Sequence, residues 1–246
     1  MNRIMLILLS AALLLSGTAL PAAGQDGQKS GRMPDPAVKG AQTAVLIQPA
    51  FSLNPARTAV LIMDYQNDIL GMLPDTVQAS LLEKAGAILK AARDARVTVI
   101  YVVVRFRDGY PEINLQNRLF SGIKESGLLR EGTTGAEIHA KVAPQPGDII
   151  VTKRRVGAFW STDLETVLRA RNISTLVLFG ISTSGVVLST VRAASDRDYR
   201  LAVISDACAD RDEEVNRVLL DKVFPWQATV VFTREFLSAA GAKREK

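Results

Sequence analysis

Three stretches of this chain set polar, reactive side chains at the ends of apolar runs. Asp64 follows the run AVLIM and opens the sequence DYQND. A carboxylate at the end of a buried strand is partly desolvated, which raises its pKa and lets it exchange a proton nearer neutrality. An Asp in that place also fits a plain turn former or helix cap. Lys153 follows Ile149-Ile150-Val151-Thr152. A lysine there can stabilise developing negative charge, or hold a carboxylate ionised as its ion-pair partner. The adjoining Arg154 and Arg155 equally suit a solvated basic edge. The third stretch is Gly180 to Thr190, GISTSGVVLST, directly after the apolar run Thr175 to Phe179. It reads as a strand-to-helix turn, and N–H groups at the start of such a helix are unpaired and turned toward any anion placed there. Ser182, Thr183, Gly185 and Val186 form this candidate oxyanion or carboxylate site. Valine cannot attack a carbonyl, so position 186 offers no acyl-enzyme chemistry.

Other side chains do not readily replace a nucleophile. Ser182, Thr183 and Ser184 are hydroxyls in the same turn, which should aim at most one of them at a ligand. His139 is the only histidine and lies in an irregular stretch, so these hydroxyls lack a histidine base. Cys208, in VISDACAD, follows a later strand and reads as a small buried or capping thiol. One histidine cannot build a typical metal site, so no metal is expected. The first strand is followed by DYQNDIL rather than G-x-G-x-x-G, and there is no P-loop. No nucleotide or other cofactor is therefore expected.

The elements that must position these residues are legible as alternating patterns. Strands are expected at Thr58 to Met63, Val97 to Val104, Ile149 to Thr152, Thr175 to Phe179, Leu201 to Ser205 and Thr229 to Phe232. Helices are expected at Val77 to Ala95, Asp163 to Arg171, Gly185 to Asp196 and Asp212 to Val223. Such alternation means parallel strands joined by helical crossovers: an α/β fold, a three-layer α/β/α sandwich around a Rossmann-like, mostly parallel sheet of about six strands. Arg105 to Gly147 breaks the pattern with Gly, Pro and Asn throughout and one short helix around Ala136 to Val142. An insertion after a strand's carboxyl end forms either the wall or lid of a site or a plain surface excursion.

The N-terminus reads differently from the rest. Met1 to Arg3 is a short positive region, Ile4 to Leu15 is continuously apolar, and Ala22-Ala23-Gly24 is a small-residue cleavage site before Gln25. Residues 1–24 are thus expected to be a secretory signal peptide, and the mature protein a periplasmic or secreted one. The apolar run is short of the ~20 residues that span a bilayer, so no stable membrane anchor is expected after cleavage. Residues 25–53 read as an arm or linker and 54–246 as the single domain. The 246 residues carry a net charge of +5, and losing Arg3 leaves 29 basic against 25 acidic residues, or +4. That charge is spread without a basic stripe interleaved with aromatics, which speaks against nucleic-acid binding. A lone cysteine cannot make an internal disulfide.

Taken together, AVLIMDYQND, PGDIIVTKRRVGAF and GISTSGVVLST resemble the three signatures of the isochorismatase-like hydrolase superfamily, from about Asn54 to Phe236. The resemblance implies that Asp64 is the acid/base and Lys153 the catalytic lysine, with Gln66, Arg155 and Phe159 shaping the pocket. It implies a cis peptide not followed by proline in the turn, between Ile181 and Ser182 or one bond later. Most of the superfamily carries a nucleophilic cysteine at the seventh position of the turn, where this chain has Val186. Isochorismatases proper also lack that cysteine. They hydrolyse a vinyl ether, the Asp protonating the enol carbon and water adding to the resulting cation without a covalent intermediate. Their turn usually has an aromatic residue and a histidine near its start, where this chain has Ser182, Thr183 and Ser184. Metal-dependent nicotinamidases of the superfamily place two histidines soon after the first Asp, and Asp64 to Glu83 contains none. The resemblance also implies a homo-oligomer, for which Leu81, Leu82, Ala85 and Ile88 are either a contact stripe or core. Three functions are consistent with these residues: a cysteine-free hydrolase of a small anionic substrate, a silent small-molecule binding protein, and a structural or interaction protein with a vestigial pocket.

Overall fold

The computed structural model describes residues 51–241. The signal-peptide reading of residues 1–24 and nearly all of the arm lie outside the described residues. Six strands form one sheet: β1 (Thr58–Met63), β2 (Thr98–Val104), β3 (Ile149–Lys153), β4 (Thr175–Gly180), β5 (Arg200–Ile204) and β6 (Thr229–Val231). Their order is β3-β2-β1-β4-β5-β6, and every pairing is parallel. β1 and β4 are buried along their whole length, which is why they read as unbroken apolar runs rather than alternating ones.

The helices are α1 (Asn67–Leu70), α2 (Asp75–Asp94), α3 (Arg118–Ser126), α4 (Leu164–Ala170), α5 (Leu188–Ser195), α6 (Glu213–Val218) and α7 (Thr233–Gly241). From β1 the chain steps to β2 and β3 in one direction, and from β4 to β5 and β6 in the other. Right-handed crossovers therefore put α2 on one face and α5 on the opposite face. α2 packs against α7. Leu81, Leu82, Ala85 and Ile88 of α2 are all buried in the core, so the stripe is not available as a self-association surface.

Several expected boundaries change. The helix expected at Gly185 begins instead with a π-helical turn, Thr183–Val187, ahead of α5. The helix expected to reach Val223 ends at Val218 and passes into a second π turn, Leu219–Val223. In the insertion, the short helix expected around Ala136 to Val142 is two separate 3-10 turns, Thr134–Ala136 and Ala140–Val142. The helix there is α3, capped by Asn117, whose side chain accepts from the Phe120 amide, and closed by Gly127 at φ 68°.

Candidate active site

The sheet reverses its direction of growth between β1 and β4, and the carboxyl ends of neighbouring strands at such a point splay apart to leave a crevice. Asp64 and the Gly180 turn both stand there. Asp64 is one residue beyond β1 with φ 60°, a left-handed conformation that Asp tolerates better than most side chains. Its amide still donates to the Val102 carbonyl at 2.9 Å, so the residue is fixed to the sheet.

Lys153 ends β3, in register with Val104 of β2. Two strand spacings of about 4.8 Å separate β3 from β1. The long lysine side chain crosses the end of β2 and brings Nζ to 2.9 Å from Asp64 Oδ2. Nζ also donates to the Arg155 carbonyl at 3.2 Å. Both side chains are almost wholly buried, Lys153 2% and Asp64 6% exposed, so the pair interacts with little solvent screening. Asp64 Oδ1 is buried too and accepts no hydrogen bond from the described residues. Burial raises the Asp64 pKa, while the Lys153 charge and hydrogen bond work against that rise. The Val104 amide also lowers it, although that amide's hydrogen bond goes to Gln66 Oε1 at 2.8 Å.

The third wall comes from the turn after β4. At Gly180 a Cβ would lie 2.7 Å from the Met63 carbonyl oxygen and 2.8 Å from Met63 Cβ, so only glycine permits this approach to β1. The Ile181–Ser182 peptide is cis, the first of the two expected bonds. The π turn that follows is a form common at functional sites. Its amides are not the free set expected from sequence. The Thr183 amide donates to the Ala209 carbonyl at 2.9 Å, that of Ser184 to Asp210 Oδ2 at 2.7 Å, and that of Gly185 back to the Ser182 carbonyl at 3.2 Å. The loop after β5 supplies the first two acceptors, and the turn itself the third. These three amides are therefore not available to an anion at this turn.

These groups surround a cavity of about 310 Å³. Asp64, Lys153, Arg155, Ser182, Gly185 and Val186 line it, and so does Ser184. Val186, whose side chain holds no nucleophile, is 2% exposed. Three expected members lie elsewhere. Thr183 is buried and its hydroxyl donates to Asn216 Oδ1 at 2.6 Å, tying the turn to α6. Gln66 is buried as a structural clamp: Nε2 donates to the Val104 and Ala136 carbonyls at 2.8 and 2.7 Å, joining β2 to the insertion. Phe159 packs on Tyr199 with ring centroids 6.1 Å apart and lies under the Arg197 guanidinium at 4.8 Å. The preceding residue explains this, since the Ala158 amide bonds Thr190 Oγ1 of α5 at 3.2 Å and so leads the chain away from the cavity.

Cys208 does not line the cavity, and burial pushes its thiol up to about 12, the inert state expected of it. Among the described residues, no group of three His, Cys, Asp or Glu side chains comes together to hold a metal. Sequence reading missed Asp210 and Arg211 on the loop after β5, and Leu119, Phe120 and Ile123 of α3, all of which line the cavity. The α3 residues carried a usable signal, an apolar i, i+1, i+4 pattern between Asn117 and Gly127. Asp210 and Arg211 carried none.

An all-parallel six-stranded α/β sheet with a buried acid–lysine pair and a cavity at its switch point defines a protein built to receive a small molecule. The chain belongs to the isochorismatase family: the Isochorismatase domain matches residues 58–235. A ureidoacrylate amidohydrolase, RutB, from Agrobacterium fabrum is 34% identical over 204 residues, covering 73% of this chain and 90% of its own. The uncharacterized isochorismatase family protein YwoC of Bacillus subtilis is 32% identical, covering 74% of this chain and 93% of its own. A cysteine hydrolase from Pseudomonas syringae pv. phaseolicola superposes with a TM-score of 0.72 at 29% identity, covering 79% of this chain and 98% of that one. The N-carbamoylsarcosine amidase of Thermoplasma acidophilum superposes with a TM-score of 0.61 at 26% identity, over 72% of this chain and 96% of that one. This is a hydrolase family, and its members act on small molecules.

Proposed function

We propose that this chain is an exported isochorismatase-family hydrolase that acts on a small anionic substrate by proton transfer at Asp64, with Lys153 as partner and no covalent nucleophile. The observation that carries this reading is the division of labour within one carboxyl group. Oδ2 is held by Lys153 at 2.9 Å, while Oδ1 is buried, unpartnered and part of a residue that lines the cavity. Burial lifts the Asp64 pKa, which keeps a proton on the group at higher pH than an exposed carboxyl would hold it.

Protonated Asp64 donates from Oδ1 to an electron-rich atom of the substrate, such as the terminal carbon of a vinyl ether. The carbon beside the ether oxygen becomes electron-poor, and water's oxygen bonds to it. The surplus proton of that water returns to Asp64, and the adduct collapses to carbonyl product and alcohol. Lys153 stabilises the carboxylate left behind after the first transfer. Val186 fills the wall where most relatives by family pattern carry a thiol, which supports water as the attacking group. An anionic substrate is supported by the cavity's charge: Lys153, Arg155 and Arg211 line it against Asp64 and Asp210. Export rests on the apolar N-terminal segment Ile4 to Leu15 and its cleavage site before Gln25.

Val186 also favours a second reading, a binding protein that kept the pocket without the chemistry. A mass-spectrometric hydrolysis screen separates the two, using vinyl ethers including isochorismate and a panel of small amides. Turnover of a vinyl ether that disappears in Asp64→Ala is the expected result. Silence across the panel, with ligand binding retained, would favour the binding protein.

A further inference from the structure

The cavity has two unlike sides. The polar groups other than Arg155 come from the sheet end, the turn after β4 and the loop after β5: Asp64, Lys153, Ser182, Ser184, Asp210 and Arg211. The side built by α3 and the residues just after it is hydrocarbon, with Leu119, Phe120, Ile123 and Leu129. Leu119 is 57% exposed although it is a large apolar residue, and it stands at this wall. A ureido or amide body laid on such a surface would lose its hydrogen bonds to water without replacement.

Arg155 borders that wall. Its guanidinium lies over the Phe120 ring, 5.5 Å from the centroid. Both of its hydrogen-bond acceptors are main-chain carbonyls, Arg154 O at 2.6 Å and Glu112 O at 3.2 Å. The Glu112 carboxylate goes instead to Arg107 at 2.7 Å and Arg154 at 3.3 Å. Among the described residues Arg155 is thus held by neutral carbonyls and makes no ion pair, which leaves further N–H donors for a ligand.

We infer that this site selects a small monocarboxylate with an apolar body, the carboxylate read by Arg155 and the body laid against the α3 wall. The inference deepens the proposed function and rests on that reading only for the cavity as the substrate site, since binding tests it without any turnover. A cavity of about 310 Å³ sets the size, at the small end of ligand sites.

The test is calorimetric or ligand-observed NMR titration of the purified protein with butanoate, pentanoate, hexanoate and heptanoate. Heptanamide and 3-ureidopropionate serve as comparisons, the latter having the same number of non-hydrogen atoms as heptanoate. Affinity is expected to rise about fourfold per added methylene, with heptanoate at least tenfold tighter than 3-ureidopropionate. Arg155→Gln is expected to weaken heptanoate about tenfold or more, as loss of a charged hydrogen bond does, and to leave heptanamide nearly unchanged; Arg155→Lys should keep the preference for the anion. Leu119→Ser, at an exposed position that the fold does not need, is expected to flatten the gain over the last methylenes. A flat chain-length series, 3-ureidopropionate equal to or tighter than heptanoate, or no binding of any member would overturn the inference. Equal losses of heptanoate and heptanamide in Arg155→Gln would overturn the role given to Arg155. If hydrolysis fails in the screen above while this series binds as expected, the fault lies with the chemistry and not with the ligand class.

Discussion

In the proposed reaction, Asp64 carries its charge problem and its chemistry on the same two oxygens. With Lys153 beside it the carboxylate is compensated; with Lys153 removed, a buried charge stands unpaired. Lys153→Met is therefore expected to lower stability by about 3–5 kcal/mol at neutral pH, read as a shift in urea midpoint. Asp64→Asn/Lys153→Met should recover most of that loss, because it removes the charge as well as its partner. The pH dependence has a definite sign. Burial holds the folded pKa of Asp64 above its ordinary 3.8, so its contribution to stability is fully present below 3.8 and is lost as pH rises through the folded value. In Lys153→Met the influence that lowers this pKa is gone, and the deficit against the parent should narrow as the solution is acidified. Catalysis by the protonated form gives a matching expectation. The kcat/KM of the parent should fall as pH rises through the Asp64 pKa, and a profile that rises there would mean that Asp64 works first as a base. Asp64 and Lys153 could be picked from sequence because each ends an apolar run. Gln66, four-fifths of the way into the same motif, could not be assigned from its type, since a buried amide serves a backbone clamp as well as a ligand.

Among the elements, the π turn and the insertion do most to shape the cavity, and they were the least legible. The strands stood out because burial on both faces makes them continuous apolar runs, and their bounds fall within one or two residues of expectation. A π turn has no sequence period of its own, so Thr183–Val187 read as the start of α5. Its amides then looked free, whereas Ala209 and Asp210, on a loop distant in sequence, take up two of them. Two substitutions test how these elements hold the site. Gly180→Ala places a methyl against the Met63 backbone at 2.7 Å, which should force β4 away from β1 and cost roughly 1–3 kcal/mol along with activity. Gln66→Leu leaves the Val104 amide and the Val104 and Ala136 carbonyls without that partner. It should destabilise by about 1–3 kcal/mol or more and speed amide hydrogen exchange in the insertion. Unchanged exchange there would show that the clamp does not hold the insertion to β2.

For the whole molecule, family and fold were readable because the three signatures fall at the ends of β1, β3 and β4, the places where the topology brings them together. What could not be read was the cavity's hydrocarbon side, since α3 lies inside a Gly- and Pro-bearing insertion whose periodicity spans only nine residues. The homo-oligomer expected from the resemblance needs a surface other than the α2 stripe, which is core. The proposal of export makes its own expectation: protein recovered from the periplasm or medium should begin at Gln25, and an intact Met1 on exported material would contradict signal cleavage. The central claim is hydrolysis by proton transfer and water, with no bond between substrate and protein, in a cavity that Ser182 and Ser184 of the turn line. Intact-protein mass spectrometry on samples quenched during turnover tests it most directly. The expected result is steady substrate loss with the protein at its unmodified mass throughout, and no loss in Asp64→Ala. A transient mass increase mapping to Ser182 or Ser184 would contradict the claim and make one of those serines the nucleophile.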